Sequence, residues 1–485
     1  MPRVVIAGSA GDSGKTTVSL GLLALWRDRG LFPAAFKKGP DFIDAAWLGW
    51  AAGGAGRNLD TVLMPRAALL SSFGRHASGA SVALIEGNRG LADGLDAQGT
   101  HSTAALARLL AAPVVLVLPV TKTTATAAAL VLGLVAMEPE VKLAGVILNR
   151  VAGERHERIC REAIEGRAGV PVLGALPRLP SPVLADRHLG LVPPAETGGL
   201  EALRRKLIDL TTTYIDADRV LGIARAAAPV QWMEAEEEEG AVPARRDAVR
   251  IGVLRDSAFT FYYPENLEAL EARGAELVSV SSLTDEGLPE LDALYVGGGF
   301  PETHAGRIAA NASFLDSLSG AAAAGLPIYA ECGGLMLLCR SLAWKGERHA
   351  MAGVFPLDLE VKSRPQGHGY ASARVDGENA FYPRGTELHG HEFHYSCVAP
   401  GAGEVKTAMA VRRGTGCLGG RDGLVTRNVL ASYLHVHALG TPAWADGLVR
   451  AARAYAAGRA AGTETEIGGA PARRLDRESE QSSWR

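Results

Sequence analysis

The chain has 485 residues, more than one ordinary hydrophobic core accommodates, which sets an expectation of two or three domains. Apolar residues make up 47% and charged residues 21%, a globular balance, and Lys+Arg 50 against Asp+Glu 53 leaves a formal net charge of −3. That balance excludes a global basic field for nucleic acid and favours a small-molecule substrate.

In chain order, RVVIAG reads as a strand, too short for the apolar region of a signal peptide. A helix follows from about Lys15 to Arg29, then the strand-like runs PAAFKKG, SVALIEG, PVVLVLP, LAGVILNRV and PVLGALP with helical patterns between them. Continuous Val/Ile/Leu runs with helical connections predict a parallel sheet covered on both faces. The most apolar stretch, AAPVVLVLPV followed by ATAAALVLGLVAM, is interrupted by Thr121, Lys122, Thr123 and Thr124, so it reads as a buried strand and a helix rather than a membrane span. Residues 1–226 form the first expected domain. Residues 227–248, with the acidic run EAEEEEG, lose periodicity and read as a linker. A second alternating series follows over 249–457: RIGVLRD, ELVSVSS, ALYVGGG, PIYAECGG and VLASYLHVHA. Within it, GVFPLDLEV, GYASARV and HEFHYSCV suit antiparallel strands. The fold class is therefore α/β, two open, mostly parallel domains. The polar stretch 458–485 reads as a disordered tail.

Directly after the first strand stands Gly8-Ser9-Ala10-Gly11-Asp12-Ser13-Gly14-Lys15-Thr16-Thr17. Glycines let backbone N–H groups turn inward, a helix N-terminus favours an anion, Lys15 supplies positive charge and the Thr16 hydroxyl can hold Mg²⁺. This predicts a nucleoside triphosphate site, with a spacing that resembles the loop of dethiobiotin synthetase. In KKGPDFID, at the next strand end, Asp41 can help hold Mg²⁺ while Lys37 or Lys38 offsets phosphate charge. Glu86, opening EGNRGLADG at a further strand end, suits metal binding, and Asn149 in ILNRV can bond an adenine edge or simply form a turn.

Five cysteines, Cys160, Cys332, Cys339, Cys397 and Cys417, include no CxxC pair and imply a reducing compartment, here the cytoplasm. Cys332 in PIYAECGGLMLL sits between a strand and a helix, a tight turn that exposes a nucleophile and whose helix N-terminus is expected to lower the thiol pKa. Cys339, among leucines, reads as core. A base is available in His435 or His437 of YLHVH, and oxyanion donors in the glycine loop Gly297-Gly298-Gly299 and in Gly333. In HGHEFH only His389 and His391 share a strand face, so packing or substrate contact is favoured over a zinc site.

From Val4 to about Ala452 the phosphate loop, KKGPDFID, RNLDT, EGNRGLADG, RHLGLV, AFTFYYPENL, GGGFPE, YAECGGLM, GHEFHYS and SYLHVH together resemble the cobyrinate a,c-diamide synthase family. The resemblance implies a dethiobiotin-synthetase-like ATP domain joined to a triad-type (class I) glutamine amidotransferase domain. It implies that ATP and Mg²⁺ convert the c and then the a acetate of a corrinoid to acyl phosphates, which glutamine-derived ammonia turns into amides. Cys332 then matches the glutaminase nucleophile and His435 its base. Gly8, Gly11, Gly14, Lys15, Thr16, Thr17, Lys37 and Asn149 fall to ATP; Thr16, Asp41 and Glu86 to the metal. Arg57, Arg89, Asp93 and Arg187 are candidate contacts for a tetrapyrrole polycarboxylate. No acid follows His435 at the spacing of such triads, so the third member is not located by the sequence. Asn88 and Arg89 stand where many members carry a methionine and an aromatic residue, which keeps sirohaem and nickel sirohydrochlorin in view as acceptors. A nucleotide switch protein is the non-enzyme alternative, and the oligomeric state is open, a homodimer being one option.

Overall fold

The computed structural model describes residues 1–184, 186–187, 190–230, 248–401, 403–460 and 473–474. Most of the expected linker and tail lies outside the described residues; the last long helix, Ala443–Ala460, reaches three residues into the segment read as tail. The described residues fall into two compact units, one ending at 230 and the other beginning at 248.

The first unit is a seven-stranded sheet of β1 (Arg3–Gly8), β2 (Pro33–Lys38), β3 (Gly56–Leu59), β4 (Val82–Gly90), β5 (Val114–Pro119), β6 (Leu143–Val151) and β7 (Val172–Pro177). Their order is β3-β2-β4-β1-β5-β6-β7 and every pairing is parallel. Burial on both faces explains why these strands are unbroken apolar runs: Val4, Val5, Ile6 and Ala7 are fully covered. After β1 the chain moves out to β2 and β3, returns to β4, then crosses β1 to reach β5. Such a reversal opens a crevice at the strand C-termini. Two helices frame it. Helix α1 (Lys15–Asp28) follows the glycine loop, and α2 (Phe42–Ala52) starts at Asp41, whose carboxylate caps it by accepting from Asp44 N–H at 2.7 Å.

In the second unit β8 (Val249–Leu254), β9 (Ala275–Val280), β10 (Ala293–Val296) and β11 (Ile328–Glu331) precede a four-stranded sheet of β12 (Cys339–Trp344), β13 (Glu347–Ala350), β14 (Phe355–Val361) and β17 (Ser396–Val398). The main sheet adds β15 (Gly367–Val375), β16 (Glu387–His394), β18 (Lys406–Arg413), β19 (Arg421–Thr426), β20 (Val429–Ser432) and β21 (His435–Val436). It runs β21-β16-β15-β18-β19-β20-β11-β10-β8-β9, with Arg473–Arg474 on the far edge of β9. The expected parallel core, β9-β8-β10-β11-β20, is present, and GYASARV and HEFH extend the same sheet as antiparallel strands, which makes it mixed rather than mostly parallel; GVFPLDLEV instead lies in the four-stranded sheet, parallel to β12 and antiparallel to β17. Only Tyr433 and Leu434 separate β20 from β21, yet four strands lie between them in the sheet. That half must therefore roll over, and the roll returns β21 and β16 to the strand end that carries Cys332.

Candidate functional site

In the first unit the glycine loop is gripped by the end of β6. Asn149 Nδ2 donates to Ser13 O at 2.8 Å and Arg150 Nη2 to Asp12 O at 2.9 Å. Gly14 sits in left-handed backbone, φ 93°, and a methyl group there would stand 2.2 Å from Asn149 Nδ2, so a side chain at this position strains the loop and displaces the amide. Lys15 Nζ donates to Ala10 O at 3.2 Å and to Arg89 O at 2.9 Å. Burial and then the Lys37 charge lower its pKa, with Glu86 opposing them.

Below the lysine lies a buried acid–base cluster. Lys37 Nζ meets Glu86 Oε1 at 2.7 Å and Asp44 Oδ2 at 2.5 Å. Burial works against the Lys37 charge, but Asp44 and Glu86 outweigh it and hold the ammonium above its ordinary range. Thr16 Oγ1 donates to Glu86 Oε1 at 3.0 Å, while Glu86 Oε2, fully buried, has no hydrogen-bond partner. Asp41 opens onto the cleft, whose walls desolvate it; with Asp44 beside it the carboxyl is pushed up to about 6. An orphaned carboxylate oxygen and a carboxylate resisting ionisation are features that a hard cation would relieve, with Thr16 adjacent. Among the described residues no cluster of three His, Cys, Asp or Glu side chains forms a cage. These groups line a cavity of about 840 Å³ that extends along Leu176–Leu184.

In the second unit Cys332 occupies an elbow, φ 47° and ψ −97°, between β11 and helix α3 (Gly333–Leu338). Its N–H donates to Ser432 O at 2.7 Å, fixing it beside the end of β20. The thiol is not activated as expected. It is 5% exposed, and burial, followed by the charge of Glu302, pushes its pKa up; the Gly333 N–H works the other way without prevailing. Helix α3 has only six residues, too short a dipole to reverse desolvation.

His435 is the histidine delivered to this elbow. Its Nδ1 lies 3.2 Å from Glu331 Oε2, and a methyl group on Gly298 would stand 2.6 Å from its Cε1 and 3.3 Å from its Nε2. His437 faces Glu265 instead, Nε2 to Oε2 3.7 Å, and packs on Tyr263. Gly299 N would be 3.0 Å from a methyl group on Gly333, so the glycine loop and the start of α3 adjoin. Tyr262 OH receives Gly297 N–H at 2.8 Å and donates to Leu254 O, and Asn266 bonds Val436 O at 2.9 Å and Ala438 N at 2.7 Å. The AFTFYYPENL segment thus braces both the glycine loop and the strand of His435.

A model of the CobQ/CobB/MinD/ParA nucleotide binding domain matches residues 4–188, and one of the CobB/CobQ-like glutamine amidotransferase domain matches residues 250–443. The cobyrinate a,c-diamide synthase of Magnetococcus marinus is 42% identical over 93% of this chain and 97% of its own. The chain belongs to the cobyrinate a,c-diamide synthase family. The family's member in Archaeoglobus fulgidus is 42% identical over 90% of this chain and 95% of its own, and that of Methanothermobacter thermautotrophicus 40% over 92% and 99%. Membership in this family, with both domains matched, makes the chain a glutamine-hydrolysing amide ligase with a nucleotide-binding domain. No helix among the described residues is long and apolar enough to cross a membrane.

Of the residues that the sequence singled out, Gly11, Gly14, Lys15, Thr16, Thr17, Lys37, Asp41, Glu86, Arg89 and Asn149 line one cavity. Gly8 lies just behind it, where a methyl group would meet Ala10 O at 2.9 Å. Asn149 spends its amide on the loop, and its Oδ1 accepts Arg150 N–H at 2.8 Å. Asp93 closes a turn by accepting Gly90 N–H at 2.8 Å, and Arg57 lies on β3 away from the cavity lining. The Arg187 side chain lies outside the described residues. Sequence reasoning missed Asp44, Arg150 and Glu331. Asn58 of RNLDT explains that motif: it bonds Gly39 O at 2.7 Å and Asp41 O at 2.9 Å, shaping the KKGPD turn. His389 is exposed, whereas His391 stacks on His435, and His394 stacks on Tyr433 and bonds Ser396 O, so the two inner histidines pack within the fold.

Proposed function

We propose that the chain amidates the a and c carboxylates of cobyrinate, or its metal-free counterpart, with ATP and glutamine. The observation that supports this most is the meeting of the glycine loop, Lys15 and the Glu86–Asp41 carboxylates in one cavity, in a chain whose relatives at about 40% identity are named for that reaction. Lys15 exchanges its two carbonyl partners for phosphate oxygens. Thr16, Glu86 and Asp41 would hold Mg²⁺, which when bound offsets charge on the transferring phosphoryl group. A peripheral carboxylate oxygen attacks the γ-phosphorus, ADP leaves, and ammonia displaces phosphate from the acyl phosphate. Arg89, which lines the cavity, would take another carboxylate of the macrocycle.

Ammonia comes from glutamine. Cys332 Sγ gives its proton to His435 and attacks the side-chain amide carbon; the oxyanion falls between the N–H groups of Gly299 and Gly333. His435 returns the proton to the departing ammonia, and water hydrolyses the thioester to glutamate. The five cysteines are all unpaired, which fits a reducing cytoplasm.

The test is mass spectrometry after incubation with ATP, Mg²⁺, glutamine and either cobyrinate or sirohaem. Each amidation lowers the mass by about one unit and removes one negative charge at pH 7. Two successive products from cobyrinate are expected; product from sirohaem alone would reject the corrinoid assignment.

A further inference from the structure

Triads of this kind need a group that fixes the tautomer of the base and stabilises it once protonated. The sequence after His435 offers Val436 and His437, neither of them an acid. We propose that Glu331, the residue immediately before the nucleophile, is the positioning carboxylate of the glutaminase. This rests on the assignment of Cys332 and His435 given above.

The geometry is specific. Glu331 is the last residue of β11 and is 1% exposed. Its register partner on β20 is Ser432, three residues before His435. Its Oε2 lies 3.2 Å from His435 Nδ1 and accepts Tyr295 OH at 3.2 Å, while its Oε1 accepts Val436 N–H at 3.4 Å. Two donors, Tyr295 O–H and Val436 N–H, and the His435 ring nitrogen thus converge on its two oxygens, and burial followed by the Glu331 charge keeps the Tyr295 phenol protonated. With Nδ1–H given to Glu331, the lone pair rests on Nε2, the nitrogen that faces the Gly298 loop.

Other buried acids nearby sit elsewhere. Asp422 holds Ser432 Oγ, Gly423 N–H and Tyr433 N–H; Glu265 faces His437; Glu392 holds Gly416 N–H beside His394; and Glu302, after the glycine loop, acts by its charge on the Cys332 thiol. His391, stacked on His435 at 5.0 Å, is held neutral, since burial and then the neighbouring histidines drive its pKa well down. It covers one face of the base without supplying charge. Glu331 therefore has the work of stabilising the imidazolium that forms when Cys332, whose thiol does not ionise readily in its buried setting, passes on its proton.

The elbow makes this arrangement possible. A strand would send residues 331 and 332 to opposite faces, but φ 47° at Cys332 turns the chain sharply there, directly after the acid that reaches His435 Nδ1.

The experiment measures glutamate release by the full chain supplied with ATP, Mg²⁺ and cobyrinate, across pH. In Glu331→Gln the amide cannot stabilise the imidazolium and can hold the wrong tautomer, so kcat is expected to fall roughly 10³- to 10⁴-fold with KM for glutamine within about threefold. The acid limb of the kcat/KM profile should move to lower pH by about one unit, because an anion that favoured the protonated base is gone. Glu331→Asp should regain at least about tenfold over the glutamine variant. A kcat for Glu331→Gln within about threefold of the parent, or a loss of kcat with the acid limb unmoved, overturns the proposal. If Glu331→Gln does not fold, Glu331→Asp decides alone: a lowered kcat with a smaller shift of the same sign supports it, an unmoved limb overturns it. Loss of glutamate release in Cys332→Ala tests the underlying assignment separately.

Discussion

Replacing Gly14 by alanine attacks the phosphate loop where it has least room. The new methyl would lie 2.2 Å from Asn149 Nδ2, while carbon contacts relax only near about 3.5 Å, so the amide must retreat by roughly 1 Å. Such a retreat breaks its 2.8 Å bond to Ser13 O, worth about 1 kcal/mol. Alanine at φ 93° adds a left-handed penalty of about 1–2 kcal/mol. If the loop relaxes to escape these costs, they return when ATP demands the original shape. The sum, about 2–3 kcal/mol, predicts ATP binding roughly 30- to 150-fold weaker. Titration calorimetry with Mg²⁺-ATP reads this directly. Asn149→Ala should cost only the hydrogen bond, about fivefold, and the double variant should bind no worse than Gly14→Ala because both remove the same contact. Affinity within about threefold of the parent in Gly14→Ala, or fully multiplicative losses in the double variant, would refute this account of the loop.

Cys332→Ala should abolish synthesis from glutamine while free ammonia still supports it; failure of ammonia to rescue a variant that binds ATP would contradict the division of labour between the two units. Gly298→Ala drives a methyl group into the His435 ring, 2.6 Å from Cε1, and should lower glutaminase kcat by about 10²-fold or more without changing ATP affinity, as calorimetry on the same sample will show. Lys37→Met leaves Glu86 and Asp44 without their shared cation, a loss of about 3–5 kcal/mol. An unchanged denaturation midpoint would mean that the cluster is not the buried ion pair described.

The phosphate loop was legible because its function is local: ten consecutive residues carry the glycines, the lysine and the threonine, and β1 and α1 flank them as expected. The parallel strands were legible because double-sided burial leaves unbroken apolar runs. Glu331 was not. Nothing marks it in sequence, since its partner His435 arrives through the β11–β20 pairing, and the usual place to look, after the histidine, is vacant of acid. Asp44 and Arg150 were hidden similarly, one inside a helix cap and one behind the better-known Asn149. The expectation of an activated thiol failed because a strand-to-helix turn was credited with a helix dipole, when α3 is short and the site is dry. In HGHEFH the alternation of a strand placed His389 outside and His391 inside, but the tasks of the buried histidines depend on stacking partners far along the chain.

The elbow at Cys332 also bears on how the enzyme comes into being. Nucleophile and acid are neighbours in the chain, so their separation is set by covalent geometry, whereas the base is synthesised about a hundred residues later. It reaches them only if Val429–Ser432 docks beside Ile328–Glu331 in one register, Glu331 opposite Ser432. A slip of two residues keeps every side chain on its proper face yet carries the imidazole about 6.6 Å along the strand, beyond the reach of either partner. On the proposed roles of Cys332 and His435, glutamine hydrolysis therefore depends on the β11–β20 pairing closing in this one register.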